Sequence, residues 1–284
     1  MAKPTTFQQL GNLWLRKTGG HLRERSREAY ENAITEASLT IISLNGQLPE
    51  QLERWAHNRR ISVSSASFTL ELGIVKSVLR WGKANLRAPR EYAGWDEIKP
   101  GAIQNKTFAI PTREQFDAIV ENIRNQPQGQ FSSDMVEFLG TSGCRKGEAM
   151  ALQWRDVDFI AGNLLIGRDG NSKTHRSRTI PLFDRLRACL VRVSKYSTVE
   201  QDNRVFGEHR LEYRLGIAYR QLGLPHYRIH DFRHYACVEW LRQVGIENAI
   251  ISSQWAGHRP DQHLNRYANH ISNSKSNELA KLIK

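Results

Sequence analysis

The chain has 284 residues, enough for two ordinary domains, and carries 41 Lys+Arg against 29 Asp+Glu for a formal net charge of +12. The surplus points to a polyanionic partner, and it is no basic tail: 16 Lys+Arg face 10 Asp+Glu through residue 106, and 25 face 19 beyond it. Cys144, Cys189 and Cys237 are too few and too scattered for a disulfide framework or a zinc ligand set. With no long apolar run and no signal-peptide pattern after Met1-Ala2-Lys3-Pro4, a soluble cytoplasmic protein with no membrane partner is expected.

In chain order, the first hundred or so residues read as helices. Phe7, Leu10, Leu13 and Trp14 recur at helical spacing, and Pro49 sits where a first-turn proline starts a helix through Leu52 and Trp55. Phe68, Leu72, Val75 and Leu79 form the next apolar stripe. Lys76, Arg80, Lys83 and Arg87 repeat with the same step displaced by one residue, about 100° around the axis, which puts a cationic face beside the core face. Such a helix packs on its own domain while facing phosphates, so these four are candidate DNA-binding residues; a solvated charge stripe is the plainer alternative. Pro100-Gly101 breaks any helix, and residues 98–107 read as a linker between domains spanning 1–97 and 108–284.

A second domain opens with the T-x-x-Q capping box of Thr112 to Gln115 and a helix carrying Phe116, Ile119, Val120 and Ile123 on one face. Its one clear β signal is Asn163 to Ile166, the turn residues Gly170-Asn171, and Arg178 to Pro181. Leu186, Cys189, Leu190 and Val193 return to helical spacing. The fold class is therefore mainly α, with a small β-sheet in the second domain.

The chemistry lies in that domain. Gly143-Cys144-Arg145-Lys146-Gly147-Glu148 reads as a helix start bearing an arginine; His230-Asp231-Phe232-Arg233-His234 places Arg233 one turn from His230; Gly257-His258 precedes Tyr267 by a step of nine residues from the histidine. Arginines and histidines suit a phosphodiester, because guanidinium forks bind paired phosphate oxygens and stay charged. A tyrosine oxygen can attack phosphorus and hold the product covalently. The other tyrosines lack this setting: Tyr30 and Tyr92 lie in the first domain, Tyr196, Tyr213 and Tyr219 have no basic motif nearby, and Tyr227 and Tyr235 read as packing residues beside the His230–Arg233 turn.

These residues, in this order over roughly 110 to 270, resemble the tyrosine recombinases of the phage-integrase family. The family pattern is G-x-R-x-x-E, a hairpin lysine, H-x-x-R, G-H and a downstream tyrosine. It falls here on Arg145 with Glu148, Lys173 in Ser172-Lys173-Thr174, His230 with Arg233, Gly257-His258, and Tyr267. The resemblance implies an N-terminal helical, SAM-like core-binding domain and a mostly α catalytic domain with a small sheet. It also implies that Arg145 and Arg233 stabilise phosphate charge, and that His230 moves the tyrosine proton or binds phosphate. His258 would hydrogen-bond the phosphate, Lys173 would protonate the leaving 5′ oxygen, Glu148 would orient the basic cluster, and Tyr267 would be the nucleophile. Ala256 and Phe232 stand where the family often has leucine, which bears on subfamily rather than chemistry.

The expected function is site-specific cleavage and rejoining of double-stranded DNA through a 3′-phosphotyrosine, with no metal, ATP or other cofactor. Integration, excision, inversion and dimer resolution all use this chemistry. The family implies a tetramer on two DNA sites, and the C-terminal tail, with Leu279, Leu282 and Ile283 on one short face after a polar tether, is expected to dock on a neighbouring protomer. No additional arm-binding domain is expected before the first helices. The rivals are a type IB-like topoisomerase and a catalytically retired DNA-binding regulatory or architectural protein.

Overall fold

In the computed structural model, residues 4–86, 96–101, 108–168, 177–207, 211–268 and 270 are described. Lys173, Arg87, the Gly170-Asn171 turn and the tail from 271 onward lie outside them. The chain divides into two compact units, 1–106 and 107–284.

The first unit is built from α1 (Phe7–Thr18), α2 (Glu24–Ser38), α3 (Leu48–Ser62) and α4 (Ser65–Asn85). Side-chain caps set two of the starts: Thr6 Oγ1 accepts from Gln9 N at 3.2 Å, and Ser64 Oγ accepts from Ser67 N at 3.2 Å. The inward face of α1 is Phe7, Leu10 and Leu15; Leu13 is half-buried. The expected α4 stripe, Phe68, Leu72, Val75 and Leu79, is core. Ile98, which the sequence places in a linker, is 8% exposed and joins this same core. Its carbonyl accepts from Lys76 Nζ at 2.8 Å, so Ile98 lies against that helix just before Pro100-Gly101.

The second unit holds α5 (Arg113–Arg124), α6 (Gln130–Ser142), α7 (Lys146–Ala151), β1 (Val157–Asp158), β2 (Asn163–Ile166), β3 (Arg178–Pro181), α8 (Asp184–Ser194), α9 (Leu211–Leu222), α10 (Ile229–Val244), α11 (Ala249–Ala256) and α12 (Pro260–Tyr267). The α5 capping box forms as the sequence predicts: Thr112 Oγ1 accepts from Gln115 N at 3.2 Å, and Gln115 Oε1 accepts from Thr112 N at 2.9 Å. Among the described residues there is one antiparallel sheet, in the order β1-β2-β3, with Leu164 opposite Ile180 and Ile166 opposite Arg178. Leu164, Ile166 and Ile180 turn inward, so the small sheet closes one side of a helical core in which α10 packs on α6 and α11. Among the described residues, no helix is long and apolar enough to cross a membrane.

Candidate active site

Two helix ends meet at Arg233. Helix α6 stops at Gly143 and α11 at Gly257, both left-handed with φ of 59° and 66°. A Cβ on Gly143 would sit 2.6 Å from Trp240 Cη2, so close packing as well as backbone sign selects glycine there. Each end leaves carbonyls without helical partners. Arg233, only 1% exposed, answers both: Nη1 donates to Gly143 O and Nη2 to Ala256 O, which anchors its cation against two negative helix ends. Nη2 also lies 2.8 Å from His258 Nε2. Burial, followed by the neighbouring Arg145 and Arg178, lowers the Arg233 pKa, but a guanidinium stays charged throughout the useful range.

Glu148 ties the arginines together. Its carboxylate accepts from the Arg145 backbone N–H at 2.9 Å, which starts α7, and from Arg145 Nη1 at 2.7 Å. Arg178 Nη2 donates to it at 2.6 Å, and Arg233 Nη1 stands 4.0 Å away. Burial works to raise the Glu148 pKa, but the bonds from Arg178 and Arg145 win and hold it at about 2. Because that lies below the ordinary value of about 4.3, the pairing stabilises the fold above that pH and the contribution, on the order of 3 kcal/mol, is lost as pH falls toward 2. Glu148→Gln is therefore expected to unfold about 3 kcal/mol more easily near pH 7, with the gap to wild type closing as denaturant curves are repeated toward pH 2. A gap that stays constant with pH contradicts this assignment of the carboxylate.

On α10, His230, Arg233, His234 and Cys237 follow at i, i+3, i+4 and i+7, on one face. Asp231, itself buried, accepts from the Arg228 backbone N–H at 2.7 Å and fixes the first turn. His230 is exposed, its ring perpendicular to that of His234 at 4.8 Å. Desolvation against the cluster, then the Arg233 and Arg145 charges, lower its pKa, so it is neutral near pH 7.

Helix α12 starts at Pro260, directly after His258, and ends on Tyr267. Tyr267 is 0% exposed, and its phenol lies 2.8 Å from His234 Nδ1. Burial, then Cys237, pushes the phenol well above its usual range. Burial also holds His234 at about 3, so this imidazole is neutral. Phe108 stacks on His234 at 4.2 Å and meets the Tyr267 ring edge-on at 5.7 Å, while the His258 ring lies 6.1 Å from it.

The structure thus brings Arg145, Glu148, Arg233, His258 and Tyr267 into one connected cluster with His230 at its rim. Lys146 points elsewhere, to Glu212 at 2.5 Å. Arg178, His234 and His263 belong to the cluster and were not among the residues the sequence singled out. Each had a local sign: Arg178 shares the inward face of β3 with Ile180, while His234 and His263 lie four residues from His230 and Tyr267. Of the cationic stripe, Lys76 is spent on the Ile98 carbonyl and its pKa is lowered by burial. Arg80 pairs with Asp96 at 2.6 Å on an exposed surface, and Lys83 is exposed.

A mostly helical domain with a three-stranded antiparallel sheet, and this cluster at the meeting of α6, α7, α10, α11 and α12, is the tyrosine-recombinase catalytic fold. The chain belongs to the phage integrase family, whose model matches residues 111–274. As such it is a site-specific DNA recombinase, a strand-exchange enzyme. Solved structures agree on the fold. The Tn1549 transposon integrase in complex with transposon right end DNA aligns with a TM-score of 0.75 at 18% identity, covering 97% of this chain and 99% of that one. A fragment of lambda integrase, as a dimer bound to a COC′ core site, aligns at 0.74 and 13% identity over 92% and 96%. A lambda integrase tetramer bound to a Holliday junction aligns at 0.73 and 13% over 91% and 77%. Among curated protein sequences none matches.

Proposed function

We propose that Tyr267 attacks a scissile DNA phosphate, so that an Oη–P bond forms as the P–O5′ bond breaks, leaving a 3′-phosphotyrosine and a 5′-hydroxyl. Arg145 and Arg233 stabilise the charge that grows on the non-bridging oxygens, and His258 hydrogen-bonds the same phosphate. His230, neutral and at the rim, takes part in moving the phenolic proton, and Lys173 protonates the leaving oxygen. The 5′-hydroxyl of a partner strand reverses the step. Bond energy is kept in the phosphotyrosine, so the balance needs neither metal nor ATP. The observation that carries the reading is a buried tyrosine in contact with neutral imidazoles, beside arginines locked by Glu148 and two helix ends.

In the free chain the phenol is inaccessible, so it must part from His234 before attack. We attribute that release to assembly as a tetramer on two DNA sites, through the tail that follows Tyr267 directly. The experiment uses a nicked duplex built on the sequence the protein selects from a random pool. A covalent adduct on a denaturing gel is expected, and strands from two duplexes should be joined. Adduct without joining points to a topoisomerase; DNA binding without adduct points to a retired enzyme.

The exposed face of α4 is proposed to bind phosphate through Arg80 and Lys83. A surface pair such as Arg80–Asp96 contributes about 0–1 kcal/mol, so DNA can displace it. Replacing both with alanine is expected to flatten the slope of log affinity against log salt by up to about 0.9 for each phosphate no longer neutralised. Lys76→Ala should leave the slope unchanged and lower the stability of the first unit, because its Nζ serves the Ile98 carbonyl. An unchanged slope in the Arg80/Lys83 double variant shows a solvated face.

A further inference from the structure

Behind His258 lies a row of hydrogen bonds that the proposed reaction does not use. His258 Nδ1 is 3.2 Å from His263 Nδ1, His263 Nε2 is 3.1 Å from Ser252 Oγ, and that hydroxyl donates to Ala249 O at 3.1 Å. His263 and Ser252 are both 0% exposed. At the other end, Arg233 Nη2 faces His258 Nε2 at 2.8 Å. A guanidinium only donates, so His258 Nε2 accepts and a neutral His258 carries its proton on Nδ1. That proton is donated to His263 Nδ1, so His263 carries its own on Nε2 and donates it to Ser252. The arginine at one end and the carbonyl at the other determine every proton position between them. Burial, then Arg233, holds both rings neutral, His258 at about 3 and His263 at about 4.

We propose that His263, anchored by Ser252, is a positioning residue that sets the tautomer of His258 and allows it to invert when a phosphate enters. The inference rests on the reading above, in which His258 faces the scissile phosphate. Phosphate oxygens only accept, so His258 must then present an Nε2–H. In the inverted row Arg233 turns the Nη2 hydrogen that faced His258 Nε2 to the phosphate, His258 donates from Nε2 to phosphate, His263 donates from Nδ1 to His258 Nδ1, and Ser252 turns its hydroxyl to His263 Nε2. Each imidazole holds one proton in both states. Solvent supplies one proton to His258 Nε2 on its half-exposed side, the His258 Nδ1 proton passes to His263 Nδ1, and the His263 Nε2 proton leaves to solvent in a transient opening of its buried contact with Ser252. A carboxylate or carbonyl in place of His263 would accept only, and a lysine would donate only. An imidazole does either, which is the property the switch requires.

The test has a spectroscopic and a kinetic arm, both on the full chain. Imidazole ¹⁵N NMR of the free protein should show His258 protonated on Nδ1 and His263 on Nε2, and both should invert in the uncleaved complex of Tyr267→Phe with the nicked duplex. In single-turnover cleavage, His263→Phe keeps the ring volume and removes both polar atoms; its rate should fall about tenfold or more, the scale of one charge-assisted hydrogen bond, with DNA affinity unchanged. His263→Asn, whose amide can turn either an acceptor or a donor toward His258, should recover most of that loss. Free His258 protonated on Nε2, tautomers that stay the same on DNA, or wild-type cleavage by His263→Phe overturns the inference. If His263→Phe does not fold, the NMR of the otherwise unmodified chain decides. An adduct formed by Tyr267→Phe removes the underlying reading and this inference together. A fast His263→Phe beside an inert Tyr267→Phe removes this inference alone.

Discussion

Tyr267→Phe should form no covalent adduct with the nicked duplex while binding it with near-normal affinity. The phenol oxygen is the nucleophile of the proposed step, and its nearest neighbours are poor substitutes: buried His234 and half-buried His258 are weakly basic imidazoles held near 3, and burial pushes the Cys237 thiol up and away from its reactive form. Affinity should survive because it comes from phosphate contacts spread over a large surface. Loss of one hydroxyl also leaves the ring packing with Phe108, His258 and His263 in place. The variant should therefore melt within about 1–2 kcal/mol of wild type, the scale of one buried hydrogen bond, here to His234. Residual adduct at Tyr235 or elsewhere removes Tyr267 from its role.

The second large effect is expected at Arg233, where catalysis and stability rest on the same guanidinium. Arg233→Ala leaves the Gly143 and Ala256 carbonyls without their donor in a buried place, at about 1–3 kcal/mol each. It also removes a charge from the proposed transition state, where one such donor is worth about 10²–10³ in rate. Arg233→Lys keeps the charge, but one ammonium cannot replace a planar fork reaching two helix ends and His258. Single-turnover cleavage by Arg233→Lys should fall at least about a hundredfold even where thermal melting shows a folded chain. A rate within about threefold of wild type would show that Arg233 is a structural tie between α6 and α11 and nothing more.

What could be read from the sequence divides along a physical line. Local rules carried the elements: the α5 capping box, the Phe68–Leu79 stripe, and strands at 163–166 and 178–181 all have causes within a few residues. Helical arithmetic also placed Arg145 beside Glu148 and His230 one turn from Arg233. What it could not supply were partners far apart in the chain. Nothing local says that Arg178 reaches the Glu148 carboxylate thirty residues earlier, or that Arg233 reaches Gly143 O ninety residues back. The cationic stripe shows the same limit in reverse. Lys76 stands in register with Arg80 and Lys83, yet the Ile98 carbonyl, twenty-two residues on, takes its ammonium. His263 and His234 had the right spacing from Tyr267 and His230, but spacing alone does not distinguish a packed histidine from one in a hydrogen-bonded row. Only the facing ring nitrogens do so.

The atom to which DNA becomes joined identifies the nucleophile directly. The wild-type chain is incubated with the nicked duplex so that the cleaved strand diffuses away, the trapped complex is digested with protease and nuclease, and the nucleotide-bearing peptide is identified by mass spectrometry. A single peptide is expected, modified on Tyr267 through a 3′-phosphate. Attachment at any other residue, or through a 5′-phosphate, would contradict that assignment.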